Sequence, residues 1–249
     1  KSAPTGYAVD GTPLPPELTL HPTMAVMNEV GYDAMTLGNH EFNFGKDVFT
    51  SVLGQAEFPI LQANLGDTGE YGIDSVPVEE YVEKTVGPEG INVAILGIGN
   101  HRVPNYELPS NIPGLGFYDP LATAQELSDS LGAANDVVIA LTHIGFTEDP
   151  KSVEVDVNVD TNMAQTVTGL DVIIGGHSHT DPAKGFGDYK YLPTIIADPD
   201  AAPVIVNHAY RYNNTLGEVI VGLRAKAGGG YEVVAQSGTY IKVDSGTVE

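Results

Sequence analysis

Asp171-Val172-Ile173-Ile174-Gly175-Gly176-His177-Ser178-His179 reads as a short apolar strand that ends in two glycines and then in two histidines one residue apart. A brief β-branched run bounded by glycine marks a buried strand. The glycines let the backbone turn tightly where the strand ends. The same plan occurs twice more: Ala34 to Leu37 runs into Gly38-Asn39-His40-Glu41, and Val137 to Leu141 runs into Thr142-His143-Ile144-Gly145. Ahead of the second of these strands, Pro120 to Leu131 places Leu121, Ala124, Leu127 and Leu131 on one helical face. Strand alternating with helix predicts a parallel sheet. Ligands in open α/β sheets collect beyond the carboxyl ends of the strands, so the three turns are expected to converge.

Outward from these turns, the spacing predicts a helix over Thr19 to Val30, with Met24, Met27 and Val30 on one face and Gly31 as its stop. A further helix is expected over Asp47 to Gln55, strands over Pro59 to Asn64 and Asn92 to Ile98, and loop from Tyr106 to Phe117. After a polar stretch from Glu148 to Asp160, Met163 to Val167 reads as helix. The pattern then changes, because Val204 to Asn207, Leu216 to Leu223 and Tyr231 to Gln236 are strands without intervening helices, the last two joined through Lys226-Ala227-Gly228-Gly229-Gly230. Two sheets packed face to face, with helices outside, fit this order. No internal repeat or convincing linker divides the chain.

Composition narrows the classes of partner. The 249 residues include 33 acidic against 11 basic side chains, a formal charge of −22, which disfavours nucleic-acid polymers and anionic membranes. A small anion can still bind locally, above all where metal ions offset the field. There is no cysteine, which excludes disulfides, thiolate ligands and cysteine nucleophiles. No apolar run approaches the ~20 residues of a membrane span, and Lys1-Ser2-Ala3-Pro4-Thr5-Gly6 lacks the apolar core of a signal peptide.

Imidazoles and an asparagine oxygen suit zinc, manganese, iron or nickel better than calcium, which prefers several carboxylates. A pair of such ions ~3.5–4 Å apart can activate a water and stabilise charge on a phosphoryl oxygen. An uncoordinated His40 beside them could serve as general acid or add positive charge. Isolated histidines such as His21, His101 and His208 read as structural or simply exposed. Glu41 reads as a structural hydrogen-bonding partner and Asp181 as a turn residue. None of the three turns supplies an obvious bridging aspartate.

Gly38-Asn39-His40-Glu41, Thr142-His143 and Gly176-His177-Ser178-His179 resemble the later signature blocks of the calcineurin-like metallophosphoesterases. The stretch His21-Pro22, Ala25, Met27-Asn28 and Gly31-Tyr32-Asp33-Ala34, running into Gly38-Asn39-His40-Glu41-Phe42-Asn43-Phe44-Gly45, is similar to the 5'-nucleotidase and 2',3'-cyclic-nucleotide 2'-phosphodiesterase family. So is Arg102-Val103-Pro104-Asn105-Tyr106 leading to Asn111-Ile112-Pro113-Gly114-Leu115, and the similarity runs from about His21 to Leu223. The resemblance implies a four-layer α/β/β/α sandwich of two mixed sheets. It implies that Asn39, His143 and His177 ligate one divalent ion of the zinc, manganese, iron or nickel class, that His179 contributes to a second, and that His40 is the catalytic histidine with Glu41 and Asn43 supporting the site. The 5'-nucleotidases usually have an aspartate where this chain has Asn43, which leaves His40 without the usual carboxylate partner and tilts the choice toward the cyclic-nucleotide branch.

The family's Asp-x-His and Gly-Asp blocks, which precede Gly-Asn-His-Glu, are absent from residues 1–38. Residues 1–225 are therefore expected to form a metallophosphoesterase domain incomplete at its N-terminus, with 226–249 continuing a β-hairpin and starting a linker to an absent nucleotide-binding domain. Four neutral ligands cannot neutralise two dications, so this chain alone is expected to hold at most one ion, weakly, and to be weakly active or inactive. A companion chain or segment could supply the missing ligands. The intact parent is expected to hydrolyse nucleotide phosphoesters, cyclic or monoester, through a hydroxide activated between two metals, outside the cytoplasm or at the cell surface. The competing expectations are a phosphatase for non-nucleotide monoesters and a non-catalytic surface or assembly protein that keeps the fold.

Overall fold

A computed structural model describes residues 20–147, 157–184 and 192–243. Helices α1 (Pro22–Val30) and α2 (Gly45–Leu53) accompany strands β1 (Met35–Thr36), β2 (Ile60–Leu61), β3 (Leu65–Asp67), β4 (Val78–Glu79), β5 (Tyr81–Val86) and β6 (Ile91–Ile98). Helix α3 (Val103–Tyr106) and strand β7 (Leu115–Phe117) lead to α4 (Pro120–Leu131) and β8 (Val137–Thr142). Helix α5 (Asp160–Thr166) then leads to β9 (Val172–Gly175), β10 (Thr194–Ala197), β11 (Pro203–His208), β12 (Thr215–Ala225) and β13 (Tyr231–Lys242).

Six strands make one mixed sheet in the order β10-β11-β9-β8-β6-β5. Its four central strands are parallel and both edges are antiparallel. One face carries Ala94, Leu96, Ile98, Val138, Ala140, Ile173, Val204 and Val206, which form a single buried cluster with Ala124, Leu127 and Leu131 of α4 and Met163 and Ala164 of α5. Removing a Leu, Val or Met side chain from water in this way stabilises by roughly 1.5–3 kcal/mol. Asp119 fixes where α4 begins, its carboxylate accepting from the N–H groups of Leu121 and Ala122 at 3.0 and 2.9 Å.

The other face meets a second layer made of two pieces. One is the parallel sheet β1-β2-β4, whose Leu61 comes so close to β6 that a Cβ at Gly97 would lie 2.3 Å from its backbone. The other is the β12-β13 hairpin, whose Gly217 lies against Asn207 of β11. Outside the small sheet, Met24 of α1 and Phe49 and Leu53 of α2 join Leu37, Phe42, Ile60 and Tyr71 in a second core. The order helix, sheet, sheet, helix is the four-layer α/β sandwich expected from the sequence, with the second sheet divided among the described residues.

Several local expectations need correction. The first helix starts at Pro22, and Val30 is 68% exposed, so only Met24 of the three face residues is buried. The segment read as loop from Tyr106 contains β7, which pairs antiparallel with β3. The edge strands β5 and β10 had not been expected; β5 carries Glu83 and Lys84, and β10 lies between Pro193 and Pro199, so neither shows a plain apolar run. Strand β13 extends to Lys242, and the boundary drawn at 225/226 falls at the turn of its hairpin with β12. Asp160 opens α5 and is fully buried instead of ending a polar stretch; most of that stretch, 148–156, lies outside the described residues.

The second core reaches the strand-end turns through aromatic contacts. Phe42 stacks on Phe49 with centroids 5.4 Å apart, and Tyr71 meets Phe49 edge-on at 5.1 Å. Tyr71 is held there by Asp67, whose carboxylate accepts from the N–H groups of Gly69, Tyr71, Gly72 and Ile73 at 2.7–3.0 Å. Burial pushes the Asp67 carboxyl up, but these four donors outweigh it and hold the group below its usual 3.8. A depressed folded-state pKa contributes stability that is present above the ordinary value and lost as pH falls through the folded one. Asp67→Asn should therefore lower stability at pH 7 by about 1–3 kcal/mol, and its difference from wild type should shrink below pH ~4 in denaturant melts.

Candidate metal centre

The three turns meet, and glycines set how closely. A Cβ at Gly38 would stand 2.7 Å from Glu41 Oε2 and 3.0 Å from the His143 ring, and one at Gly176 would stand 2.9 Å from His143 Nδ1. Side chains at either position would push His143 away from its neighbours. The turn Asn39–Phe42 is a single 3₁₀ turn, tied by the Gly38 N–H donating to Glu41 Oε2 at 2.7 Å and anchored by buried Phe42. Glu41 thus binds backbone.

Asn39 Oδ1 is the common point. It lies 3.1 Å from His143 Nε2 and 3.0 Å from His177 Nδ1, and the two imidazole rings sit edge to face at 5.3 Å. An amide oxygen only accepts, so both ring nitrogens aim N–H groups at it or, with those protons replaced, share a cation with it. Burial first, then the neighbouring imidazoles of His177, His208, His40 and His179, push His143 down to about 3. His143 is therefore neutral at physiological pH and keeps a lone pair for coordination. His177 and His179 both hold positive φ, 77° and 51°. Such backbone is rare outside glycine and clusters at functional sites.

These donors fit one borderline cation: an oxygen and two neutral imidazole nitrogens from three strand ends. They do not by themselves fit two. Among the described residues no three His, Cys, Asp or Glu side chains cluster tightly enough to hold a metal ion, so Asn39 is needed to complete the set with His143 and His177. The His179 ring lies 6.0 Å from that of Tyr212. Arg211 packs its guanidinium on Tyr210 and Tyr212 at 5.1 and 5.0 Å, in a turn where Tyr210, Tyr212 and Asn213 all have positive φ. Asp181 accepts from the Ala183 N–H at 3.0 Å within its turn.

His40 is exposed, and its Nδ1 lies 2.7 Å from Asn43 Oδ1. Sequence reasoning left it without a carboxylate, yet Asn43 Nδ2 donates to Glu107 Oε2 at 2.6 Å. A carboxylate is thus present one residue removed. Glu107 sits 64 positions away from Asn43 in sequence, on a segment read as loop, and no spacing rule pointed to it.

A second unforeseen element lies beneath His143. Thr142 donates to Asp160 Oδ1 at 2.6 Å, and His208 Nε2 lies within hydrogen-bond distance of Asp160 Oδ2 at 2.6 Å, with both residues of the pair almost fully buried. Burial pushes the Asp160 carboxyl up against these two hydrogen bonds. Gly175 makes room for the pair, since a Cβ there would fall 2.0 Å from Asp160 Oδ2. Asp160 also binds the Gly145 carbonyl through its N–H at 2.8 Å, so the pair locks the loop after His143.

The two-sheet α/β sandwich with strand-end histidines around an asparagine fits the metallophosphoesterase class that the sequence resembles. Comparison with known proteins agrees: the family described as calcineurin-like phosphoesterase matches residues 6–181. The chain belongs to the calcineurin-like phosphoesterase family. It is 34% identical over 232 residues to a 5'-nucleotidase of Bos taurus, covering 90% of this chain and 37% of that protein. It is 32% identical over 164 residues to the trifunctional nucleotide phosphoesterase protein YfkN of Bacillus subtilis, covering 64% of this chain and 11% of that one. Among solved structures, the 5'-nucleotidase precursor of Thermus thermophilus superposes with a TM-score of 0.72 at 27% identity, over 88% of this chain and 40% of that one. The chain therefore spans about two fifths or less of these relatives.

The Asp160–His208 pair also tests what holds the scaffold. Removing one partner leaves a buried polar group uncompensated, so His208→Leu should cost about 3–5 kcal/mol. The double variant Asp160→Leu/His208→Leu should recover much of that loss in urea melts, because replacing both members of a buried pair with apolar groups is often close to neutral.

Proposed function

We propose that this chain carries the later part of a metal-dependent centre that hydrolyses nucleotide phosphoesters. The observation that carries the reading is the meeting of Asn39, His143 and His177 on one oxygen, with His40 on the adjacent residue. Asn39, His143 and His177 would hold one divalent ion, and His179 would face a second. Such ions, when bound, polarise a phosphoryl oxygen and acidify a water. His40 points its Nδ1 at Asn43, which leaves Nε2 free to take up a proton and, from the doubly protonated ring, to pass it to the leaving oxygen as the bond from phosphorus to that oxygen breaks and the bond from water oxygen to phosphorus forms. Tyr212 and Arg211, beside His179, offer a flat aromatic face and a cation to a nucleotide.

Asn43 in place of the aspartate usual in 5'-nucleotidases favours 2',3'-cyclic nucleotides among the substrates, with nucleoside monophosphates as the other member of the class. The bovine and Thermus relatives' names support nucleotide substrates, and an extracytoplasmic setting accords with an acidic, cysteine-free chain. Among the described residues no helix is long and apolar enough to cross a membrane.

We further propose that the remaining ligands come from a segment outside the described residues or from a companion chain. On the inner face of the large sheet, β2 covers Gly97 and the hairpin covers Asn207, while Ile174 between them is 41% exposed. The buried side chains of Gln62 and Asn207 keep polar atoms without a hydrogen-bond partner among the described residues, which native structures seldom tolerate.

Titration of the 249-residue chain with Mn²⁺ or Zn²⁺ should show at most one weakly held ion per chain, lost in His143→Ala; two tightly held ions would contradict this reading. With metal in excess, 2',3'-cyclic or 5'-nucleotides should be hydrolysed in preference to a sugar phosphate. His40→Ala should cut kcat by roughly 10²–10⁴. Preference for the sugar phosphate would move the substrate class, and failure of the chain to bind any ion would favour a non-catalytic protein.

A further inference from the structure

We propose that Glu107 is a positioning residue that acts through Asn43 to fix which ring nitrogen of His40 carries the proton. The inference rests on the proposed role of His40, and its geometry stands apart from any metal. A contact between an imidazole nitrogen and a side-chain amide has two solutions. Either Nδ1–H donates to Oδ1 or, with the amide turned over, Nδ2–H donates to a bare Nδ1. His40 and Asn43 alone do not choose between them.

Glu107 makes the choice. A carboxylate only accepts, and both of its oxygens are engaged. Oε2 takes Asn43 Nδ2 at 2.6 Å, while Oε1 takes the Leu108 N–H at 2.8 Å and Asn111 Nδ2 at 2.9 Å. Asn111 Nδ2 also donates to the Asn43 carbonyl at 2.9 Å, which ties the two segments together. Turning Asn43 over would set its Oδ1 against a carboxylate oxygen at 2.6 Å, acceptor against acceptor. Asn43 must therefore present Oδ1 to His40, and His40 must donate from Nδ1. Burial pushes the Glu107 carboxyl up, but the hydrogen bonds from Asn43, Leu108 and Asn111, with the nearby His40 adding to them, outweigh it and hold the group below its usual range. It stays an acceptor. The neutral ring is thereby held in the Nδ1–H form, ordinarily the minor tautomer of free histidine, with the Nε2 lone pair directed away from the relay.

The arrangement makes an isosteric change reverse the outcome. In Glu107→Gln the end facing the Leu108 N–H and Asn111 Nδ2 must remain an oxygen, so the new NH₂ faces Asn43. Asn43 then turns over to accept from it, and its own NH₂ faces His40 Nδ1, which forces the Nε2–H tautomer. Adding Asn43→Asp restores an acceptor on both sides, and the carboxylate so introduced again accepts a hydrogen bond from His40 Nδ1–H.

The test is ¹⁵N NMR of the histidine-labelled, folded 249-residue chain without metal, at a pH where imidazole is neutral. The expected result is Nδ1–H at His40 in the wild type, Nε2–H in Glu107→Gln, and Nδ1–H again in Asn43→Asp/Glu107→Gln. An unchanged Nδ1–H signature in folded Glu107→Gln overturns the proposal. In nucleotide hydrolysis Glu107→Gln should lower kcat at least ~10-fold with KM nearly unchanged, and the double variant should recover most of the loss. An inverted tautomer with undiminished kcat overturns the positioning role. If the tautomers follow the expected pattern but neither the wild type nor any variant turns over nucleotide even when the segment or chain that supplies the remaining ligands is present, the proposed function fails and the Glu107 relay stands.

Discussion

The strand-end turns can approach one another only because backbone stands where side chains would otherwise be, and the site depends on that closeness. His143 is hemmed in by Gly38 on one side and Gly176 on the other, each within about 3 Å of its ring if a Cβ were added. Gly175 does the same for the Asp160–His208 pair underneath. One extra carbon at any of the three would move an imidazole by more than a hydrogen bond tolerates. The glycines cost backbone entropy, and the cores behind them offset it: Phe42 is wedged among Phe49, Tyr71 and Phe117, and the strands β6, β8, β9 and β11 are sealed against α4 and α5. Rigid layers hold the turns, and the turns hold the donors.

The legible parts of the sequence were those governed by local rules. Helix α4 begins and ends where its Asp119 cap, Pro120 and apolar spacing place it, and the glycine–histidine turns fall at the ends of β1, β8 and β9 as the apolar runs imply. What escaped was decided by partners distant in sequence. Strand β5 is amphipathic only weakly and exists because β6 offers it a ladder. Asp160 looked like the end of a solvated stretch because its partners, Thr142 and His208, lie 18 and 48 residues away. Glu107 followed Tyr106 in what read as loop, and only the fold carries it to Asn43.

Asn43, standing where the resemblance implies an aspartate, also changes meaning once the fold is known. From sequence alone it removed the carboxylate behind His40. In the structure it inserts an amide between the histidine and a carboxylate, so that the negative charge is displaced outward while a directional contact is kept. An amide transmits orientation well, because its two ends differ in kind, and transmits charge poorly. The pair Asn43–Glu107 therefore exchanges some electrostatic support of His40 for control over how its protons are arranged.

The same displacement runs through the whole centre and explains why a chain with 33 acidic residues presents a donor set without one. Among the described residues, the carboxylates nearest the turns are already committed. Glu41 accepts from the Gly38 N–H, Glu107 from Asn43, Asn111 and Leu108, Asp160 from Thr142 and His208, and Asp181 from its own turn. Freeing any of them to bridge a pair of cations would unmake the contact that shapes a turn: the 3₁₀ turn that aims Asn39, the relay behind His40, the lock beneath His143 or the loop after His179. Acidic side chains here organise neutral donors, and the negative charge that a pair of bound cations would require would have to come from residues other than those that build these turns.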